Sequence, residues 1–361
     1  MDYKEICSKF KMDGRYISAQ PYGEGHINDT LLINTTGSRY ILQKVNDTVF
    51  KDTKKVLENV KRVTTFLHKK IIENCGNPYR ETLTLISARD NKPYYVAEDG
   101  SLYRAYLFID HAISYQSVEN EEVFYQAARA FGHFQNMLSD FPADQLWETI
   151  DKFHDTVDRY RIFKEAIKAD KLGRLESVGD EVEFALKREK DAGIIVNALE
   201  NKEIPLRVTH NDTKLNNVMI DDRTNKGICV IDLDTVMPGS MLYDYGDSIR
   251  FGASTAAEDE KDLSKVSMDL KLFEAYTKGY LEELGDRITD KEIELLPISA
   301  KIMTLECGIR FLTDYLDGDN YFRIHRPDQN LDRARTQFKL VADMEEKMDE
   351  MAEIVAKYVI K

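Results

Sequence analysis

The sequence contains little cysteine and no long apolar run. Its 361 residues include only four cysteines, Cys7, Cys75, Cys229 and Cys307, which lie far apart and form no Cys-x-x-Cys pair. Neither a zinc site nor a disulfide framework is therefore indicated, and a reducing cytoplasm is the expected compartment. No stretch approaches the roughly 20 apolar residues of a membrane-spanning helix, so no membrane segment is predicted.

The sequence also lacks an excess of basic residues, internal repeats and low-complexity linkers. Its formal net charge of −14 argues against nucleic acid or an anionic membrane as a partner, because either would favour a basic face. The N-terminal segment MDYKEICSKFKMDG mixes charged and apolar residues, and we do not expect it to be a signal peptide. The length suits two lobes, and we expect a soluble monomer that acts on small molecules.

One polar segment carries the strongest chemical signal. Within residues 208–220, His210, Asp212 and Asn217 stand at short offsets, and Asp232 follows the next apolar strand. A carboxylate that orients a hydroxyl, together with an amide and a second carboxylate that hold Mg²⁺, is the equipment for phosphoryl transfer from ATP. We interpret Asp212 as the catalytic base, Asn217 and Asp232 as Mg²⁺ ligands, and His210 as a brace for the loop. On its own, His-Asn-Asp would more often be a polar turn.

The distribution of predicted elements agrees with this chemistry. Before residue 110, a short helix at 2–10 and a longer one at 53–68 accompany strands at 16–22, 30–34, 39–45, 83–87, 93–97 and 102–109. After about residue 111, helices are predicted at 122–138, 160–169, 181–199, 272–284, 298–316 and 332–359. We predict an α+β, bilobal protein-kinase-like fold, with a β-rich N-lobe at 1–110 and a mostly helical C-lobe at 111–361.

Two further carboxylates near the motif, Asp234 and Asp244, have open roles. Asp232 and Asp234 follow the apolar run 228–231, and alternation along a strand would point both to one side. Asp234 could then be a second metal ligand or face the substrate, whereas the plain alternative is a solvated strand end. Asp244 is expected to accept backbone N–H groups of the catalytic loop, or else to cap a helix at 245–251.

Nucleotide binding is expected to involve the first lobe and the hinge. Gly23 and Gly25 would allow backbone to approach phosphates closely, although a plain hairpin turn is the default interpretation. The basic residue of the third strand is ambiguous, because the register places either Gln43 or Lys44 toward the phosphates. The backbone groups of the hinge would bind adenine, and we assign them to Phe108, Ile109 and Asp110.

Arg310 stands in an apolar stretch of a predicted helix, where an arginine is rarely left unpaired. The plain alternative is a surface ion pair with Glu306 or Asp314, one helical turn away. The sharper hypothesis is that Arg310 and Tyr321 line the site of the phosphoryl acceptor.

Long runs of the sequence resemble the aminoglycoside phosphotransferase-like kinases. The runs are 21–28, 40–43, 131–136, 205–217, 231–235, 237–254 and 306–310. The resemblance is strongest to members of this family that phosphorylate the anomeric hydroxyl of N-acetylhexosamines with ATP and Mg²⁺. It implies that His26, Thr235, Arg310 and Tyr321 bind the sugar, and it places Gln43 where the family has a lysine.

Two other functions remain open at this stage. A kinase of the same fold could act on another small alcohol or amine, such as homoserine, choline or an aminoglycoside. A catalytically inactive binding module on the same fold is the alternative from a different class, and the presence of Asp212, Asn217 and Asp232 argues against it.

Overall fold

The computed structural model of the chain describes residues 2–23, 28–46 and 52–359. The chain forms two compact units, each built from three segments. The first comprises Met1–Ser114, Met137–Asp151 and Asn217–Pro238, and the second comprises Tyr115–Asn136, Lys152–Asn216 and Gly239–Lys361. Asn217 and Asp232 therefore belong to the first unit, and Asp212 belongs to the second.

The secondary structure is mixed. The strands are β1 (Tyr16–Pro21), β2 (Asp29–Thr35), β3 (Arg39–Val45), β4 (Tyr95–Val96), β5 (Leu102–Leu107), β6 (Ala112–Ile113), β7 (Arg207–Thr209), β8 (Val218–Asp221), β9 (Gly227–Val230) and β10 (Met237–Gly239). The helices are α1 (Tyr3–Ser8), α2 (Thr53–Glu73), α3 (Pro78–Glu81), α4 (Glu121–Met137), α5 (Thr156–Ala169), α6 (Gly179–Leu186), α7 (Gly193–Glu200), α8 (Met241–Gly252), α9 (Leu270–Leu284), α10 (Asp290–Asp317), α11 (Gln329–Glu346) and α12 (Met348–Tyr358). No helix among the described residues has both the length and the apolar character needed to cross a bilayer.

The first unit is organised around an antiparallel sheet with the strand order β1-β2-β3-β5-β4. Alternation along β3 buries Tyr40 and Leu42 on one face, where they pack against Ile6 and Phe10 of the N-terminal segment. Helix α2 buries the apolar stripe that its sequence spacing predicts. A second sheet, in the order β6-β8-β9, contains the hairpin between Asn217 and Asp232.

The second unit packs its helices around α10. A capping box begins this helix, because Glu292 N–H donates to Thr289 Oγ1 (3.2 Å) and Thr289 N–H donates to Glu292 Oε2 (2.9 Å). Its apolar side joins α5 and α11 in a core that includes Phe163, Ile309 and Phe338. The helix ends at Gly318, whose φ of +107° is readily adopted only by glycine.

The structure confirms the α+β class and the kinase-like arrangement of elements, with four local corrections. Residues 83–87 form only an isolated bridge, Leu85 to Tyr106, and 93–97 shortens to β4. The predicted helix 181–199 is two helices, α6 and α7, separated where Asp191 pairs with Lys301 of α10. The helix at 332–359 is interrupted at Lys347, whose ammonium group donates to the carbonyl oxygen of Met268 (2.8 Å).

Candidate active site

The loop of the second unit that contains the predicted base, Asp212, is held by the buried carboxylate of Asp244. Its Oδ2 accepts from His210 N–H (2.9 Å) and from the Gln135 side-chain amide (2.8 Å), and its Oδ1 accepts from Asn211 N–H (2.8 Å). Asn211 has a φ of +66°, which these bonds help to maintain. The predicted contact with the loop is confirmed. The helix-cap alternative is wrong, because α8 begins at Met241 and Ser240 caps it.

His210 braces the residue assigned as the base. Its Nδ1 accepts the backbone N–H of Asp212 (3.2 Å), and its ring lies edge-on to Phe131 and Phe134. The ring is fully buried. A buried imidazole in this position is suited to orienting Asp212 and has no access to a substrate.

Lys214 is a neighbour of Asp212 that we did not single out from the sequence. Its Nζ lies 3.0 Å from Asp212 Oδ1. Burial alone would lower the pKa of Lys214, but the carboxylates of Asp212 and Asp247 raise it on balance. Asp247 in turn pairs with Arg250 (2.8 Å). A chain of alternating charges thus begins at the candidate base.

Burial raises the pKa of Asp244 to about 6, although His210, Asn211 and Gln135 lower it in part. In the unfolded chain the carboxyl titrates near its ordinary value of 3.8, so the folded state binds more protons between these values. Ionisation of Asp244 therefore reduces stability as the pH rises from about 4 to about 6.

We expect Asp244→Asn to reduce the free energy of unfolding by about 1–3 kcal/mol at pH 5, because an amide presents one acceptor oxygen to three donors. This deficit should shrink between pH 5 and pH 7, because the variant has no ionisation cost. Thermal melting at several pH values measures it. A deficit that grows with pH would contradict the assignment, and Asp286→Asn, at a side chain 98% exposed, is the matched control.

The two predicted Mg²⁺ ligands lie at one end of the β8–β9 hairpin. Asn217 immediately precedes β8 and Asp232 follows β9, and Ile231 N–H donates to the carbonyl oxygen of Asn217 (2.9 Å). Mg²⁺ prefers oxygen ligands and usually takes one or two from protein carboxylates, with phosphates and water supplying the rest. An amide and a carboxylate on adjacent backbone fit this requirement. Among the described residues, no three His, Cys, Asp or Glu side chains are grouped as a metal site.

The prediction that Asp232 and Asp234 share one side of a strand is wrong. Strand β9 ends at Val230, Asp232 has a left-handed backbone with φ +57°, and Leu233–Thr235 form a 3₁₀ turn. Asp234 is buried and accepts hydrogen bonds from both terminal nitrogens of Arg104 on β5, the bond to Oδ2 being 2.9 Å long. Asp232 and Asp234 therefore have different surroundings. Thr235 ends the turn.

The structure also shows the register of β3. Gln43 points to the face where Arg104 lies, and its Oε1 accepts from Arg104 Nε (2.9 Å). Lys44 pairs with Tyr103 in the ladder and belongs, by alternation, to the face of Tyr40 and Leu42. This geometry favours Gln43 over Lys44 at the position where the resemblance expects a lysine.

The remaining nucleotide-binding predictions concern the glycine-rich segment and the hinge. Gly23 has a φ of +76°, whereas Gly25 and His26 lie outside the described residues. Phe108 donates its N–H to the carbonyl oxygen of Arg39 (3.0 Å), and its ring meets that of Tyr22 edge-on. Ile109 is buried and Asp110 pairs with Arg39, so this short segment is fixed by its neighbours.

Arg310 is part of a buried charged cluster in the second unit. Glu306 is 1% exposed and accepts from His154 (2.8 Å) and Thr156 (2.7 Å), with Arg310 at 4.0 Å. Burial would raise the pKa of Glu306, but His154 and Arg310 lower it on balance, so it remains ionised. The pairing of Arg310 with Glu306 that we considered as the plain alternative is therefore present, but it is buried and does not lie at the surface.

Tyr321 is placed next to Arg310 by the loop that follows α10. Asp314 accepts the backbone N–H groups of Asn320 (2.9 Å), Tyr321 (2.8 Å) and Phe322 (2.9 Å), and thereby orders this loop. The Arg310 guanidinium lies 5.9 Å from the centre of the Tyr321 ring, and the residue Tyr321 is 66% exposed. The structure thus brings together the two residues assigned to the acceptor in this unit.

Comparison with known proteins gives the class of this fold. A microcompartment-associated aminopropanol kinase superposes with a TM-score of 0.64 at 13% identity, covering 97% of this chain and 98% of that chain. Choline kinase from Cryptosporidium parvum Iowa II gives 0.57 at 14% identity, covering 99% and 98%. An amicoumacin kinase, solved in complex with AMP-PNP, Ca²⁺ and Ami, gives 0.58 at 11% identity, covering 96% of each chain. The fold is that of the small-molecule kinases.

The family itself follows from the sequence. Residues 18–280 match the sequence profile of the phosphotransferase enzyme family, APH. This match covers more than half of the chain and includes both Asp212 and Asp232. The chain belongs to that phosphotransferase family.

Proposed function

We propose that this protein is a kinase that transfers the γ-phosphoryl group of ATP to the anomeric hydroxyl of an N-acetylhexosamine, giving the sugar 1-phosphate and ADP. The resemblance of the motif runs to such kinases suggests the acceptor. The observation that supports it best is the cluster of Arg310 with Tyr321, which offers a cation and a phenol to the acceptor.

The charge of this cluster favours a neutral acceptor over an amine. Burial would lower the pKa of Arg310, but Tyr321 and Glu306 raise it, so the guanidinium stays charged. The neighbouring Arg159 has a lowered pKa because of burial and of Arg310 itself. Glu306, the buried carboxylate of the cluster, is already bonded to His154 and Thr156. A cationic substrate would be repelled here, whereas sugar hydroxyls or an acetamido oxygen can accept hydrogen bonds from Arg310.

Each remaining predicted residue has a role in this proposal. Asp212 accepts the proton of the attacking hydroxyl, as that oxygen bonds to the γ-phosphorus and the bond to the β-phosphate oxygen breaks. Asn217 and Asp232 would hold Mg²⁺, which neutralises charge on the phosphates when it is bound. His26 and Thr235 are assigned to the sugar. Gly23, Gly25 and Gln43, with the backbone of Phe108, Ile109 and Asp110, are assigned to ATP.

The chemical demand on Asp212 is modest for this acceptor. An anomeric hydroxyl is more acidic than an ordinary alcohol, so it need not lose its proton before attack. Orientation of the hydroxyl and charge neutralisation should then supply most of the acceleration. The brace of Asp212 by His210 suits a base whose main task is orientation.

The proposal is tested by measuring ADP release with a panel of acceptors. The panel contains N-acetylglucosamine, N-acetylgalactosamine, homoserine, choline, 1-amino-2-propanol and an aminoglycoside. We expect turnover with at least one N-acetylhexosamine and none with the amines. Turnover with an amine and with neither sugar would reject the sugar assignment. ATP binding without turnover on any acceptor would instead favour an inactive binding module.

The substitution Arg310→Met tests the role of Arg310 in acceptor binding by the same ADP-release assay. Losing a hydrogen bond from a charged group costs about 1.5–3 kcal/mol, so KM for the sugar should rise about 10- to 100-fold while KM for ATP stays the same. The matched control is Arg335→Met, which also removes an arginine paired with a carboxylate, Glu181 at 2.6 Å. An equal effect of both substitutions would contradict the role of Arg310.

A further inference from the structure

Arg104 is the largest fully buried side chain among the described residues, and its position is unusual for an arginine. It lies on β5 of the first unit and is 1% exposed. Arginine is almost never fully buried unless it is paired. Here both terminal nitrogens donate to the carboxylate of Asp234, which is 5% exposed, and Nε donates to Gln43.

Neighbouring residues of the first unit make further hydrogen bonds around the Arg104–Asp234 pair. Gln43 donates its own amide to Thr30 Oγ1 (3.0 Å), and Asn28 donates to Asp234 Oδ2 (3.0 Å). Burial alone would lower the pKa of Arg104, but Asp234 raises it on balance, so the ion pair is retained. A buried ion pair is tolerated only with such geometry, and removing one partner is strongly destabilising.

The pair acts on the turn that follows Asp232. Asp232 has a φ of +57°, in a region that costs a residue other than glycine of order 1 kcal/mol or more unless its surroundings enforce it. Asp234 lies two residues later in the same tight turn, and it is the member of that turn joined to the sheet by Arg104. Fixing Asp234 on β5 therefore restricts the backbone that orients Asp232.

We propose that the Arg104–Asp234 pair, held in register by Gln43, is a positioning device that keeps Asp232 in its left-handed conformation for binding of the divalent cation. This inference rests on the proposed nucleotide and Mg²⁺ site, but not on the identity of the acceptor. Arg104 is then a positioning residue and Asp232 is the single carboxylate of the turn that binds the cation. Gln43 is the residue that aligns Arg104 for this task.

Two other roles make different demands on the same residues. If Arg104 replaced the missing lysine as a ligand of the phosphates, its nitrogens would have to be available, but all three are bonded within the unit. If Asp234 were itself a metal ligand, removing Arg104 would release it and strengthen cation binding. Both rivals therefore predict results that the positioning role does not.

The test measures binding rather than turnover. Mn²⁺ is titrated in the presence of ADP and followed by electron paramagnetic resonance, and ADP binding without metal is measured by calorimetry in EDTA. Residues that orient a metal ligand typically contribute about 10- to 100-fold in metal affinity. We expect Arg104→Met and Asp234→Asn each to lose about 10- to 100-fold in Mn²⁺ affinity. Arg104→Lys should lose an intermediate amount, and ADP affinity without metal should be unchanged.

The variants also separate positioning from a loss of folding. Gln43→Ala removes the contact that aligns Arg104, together with the bond to Thr30, at a half-buried site, and it should weaken Mn²⁺ binding in the same direction but less. Because Gln43 is also assigned to ATP, ADP binding without metal is measured for this variant as well. Lys70→Met is the matched control, because it removes another ion pair of this unit, to Asp140 (2.5 Å), and should leave Mn²⁺ binding unchanged.

Several results would overturn the inference. Weaker ADP binding without metal in Arg104→Met would make Arg104 a phosphate ligand. Tighter or unchanged Mn²⁺ binding in Arg104→Met, with weaker binding in Asp234→Asn, would make Asp234 the ligand. Absence of Mn²⁺–ADP binding in the unsubstituted protein would reject the cation site together with this inference. Failure of the sugar panel alone leaves the Mn²⁺ result intact, so the two proposals fail separately.

Discussion

Asp212→Ala should lower kcat by about 10²- to 10⁴-fold, which is the usual contribution of a positioned general base. The loss should fall on turnover and not on nucleotide affinity, because the residues assigned to ATP and Mg²⁺ are unchanged. Single-turnover phosphorylation and calorimetric ATP binding, measured on the same preparation, check both parts. Activity close to that of the unsubstituted protein would refute the mechanism.

The surroundings of Asp212 make this substitution informative. His210 bonds to the backbone N–H of Asp212 and Asp244 bonds to the loop backbone, so the loop is held without the Asp212 side chain. Lys214 retains the favourable charge of Asp247. We therefore expect a melting temperature close to that of the unsubstituted protein. Asp286→Ala, which removes a carboxylate at a fully solvated position, is the control for charge.

Short-range patterns in the sequence were sufficient for much of the fold. The spacing of Val56, Val60 and Val63 identifies α2, and the alternation around Tyr40 and Leu42 identifies β3, because both patterns reflect burial of one face. The breaks at Asp191 and Lys347 were missed, since each depends on a bond to a distant segment, Lys301 in one case and Met268 in the other.

In the candidate site, too, residues with local spacing could be predicted, whereas residues that depend on distant partners could not. Asp212, Asn217 and Asp232 could be found because their offsets are local. Arg104 could not, because it is one charged residue on a strand and its partner Asp234 lies 130 positions away. His154 and Glu306 meet across 152 positions and gave no signal either. The left-handed backbone of Asp232 likewise has no signature in an apolar run followed by Asp-Leu-Asp.

That backbone conformation suggests the sharpest test of the cation site. Asn tolerates a positive φ at least as well as Asp, so Asp232→Asn keeps the shape of the turn and removes only the charge. A metal ion contributes several kcal/mol to stabilising the charge of a phosphoryl-transfer transition state. Loss of its carboxylate ligand should therefore reduce kcat/KM for ATP by about 10²- to 10³-fold.

The loss in kcat/KM is measured by varying ATP at saturating Mg²⁺. Activity is then titrated with Mg²⁺ at saturating ATP, where the Mg²⁺ concentration giving half-maximal activity should rise for Asp232→Asn. Asp222→Asn is the matched control, since Asp222 lies at the opposite end of the same hairpin and is partly exposed. Its titration should coincide with that of the unsubstituted protein. Equal Mg²⁺ requirements for Asp232→Asn and the unsubstituted protein would show that the cation is bound elsewhere, and the bond between Ile231 N–H and the Asn217 carbonyl oxygen at the hairpin end would then serve the turn alone.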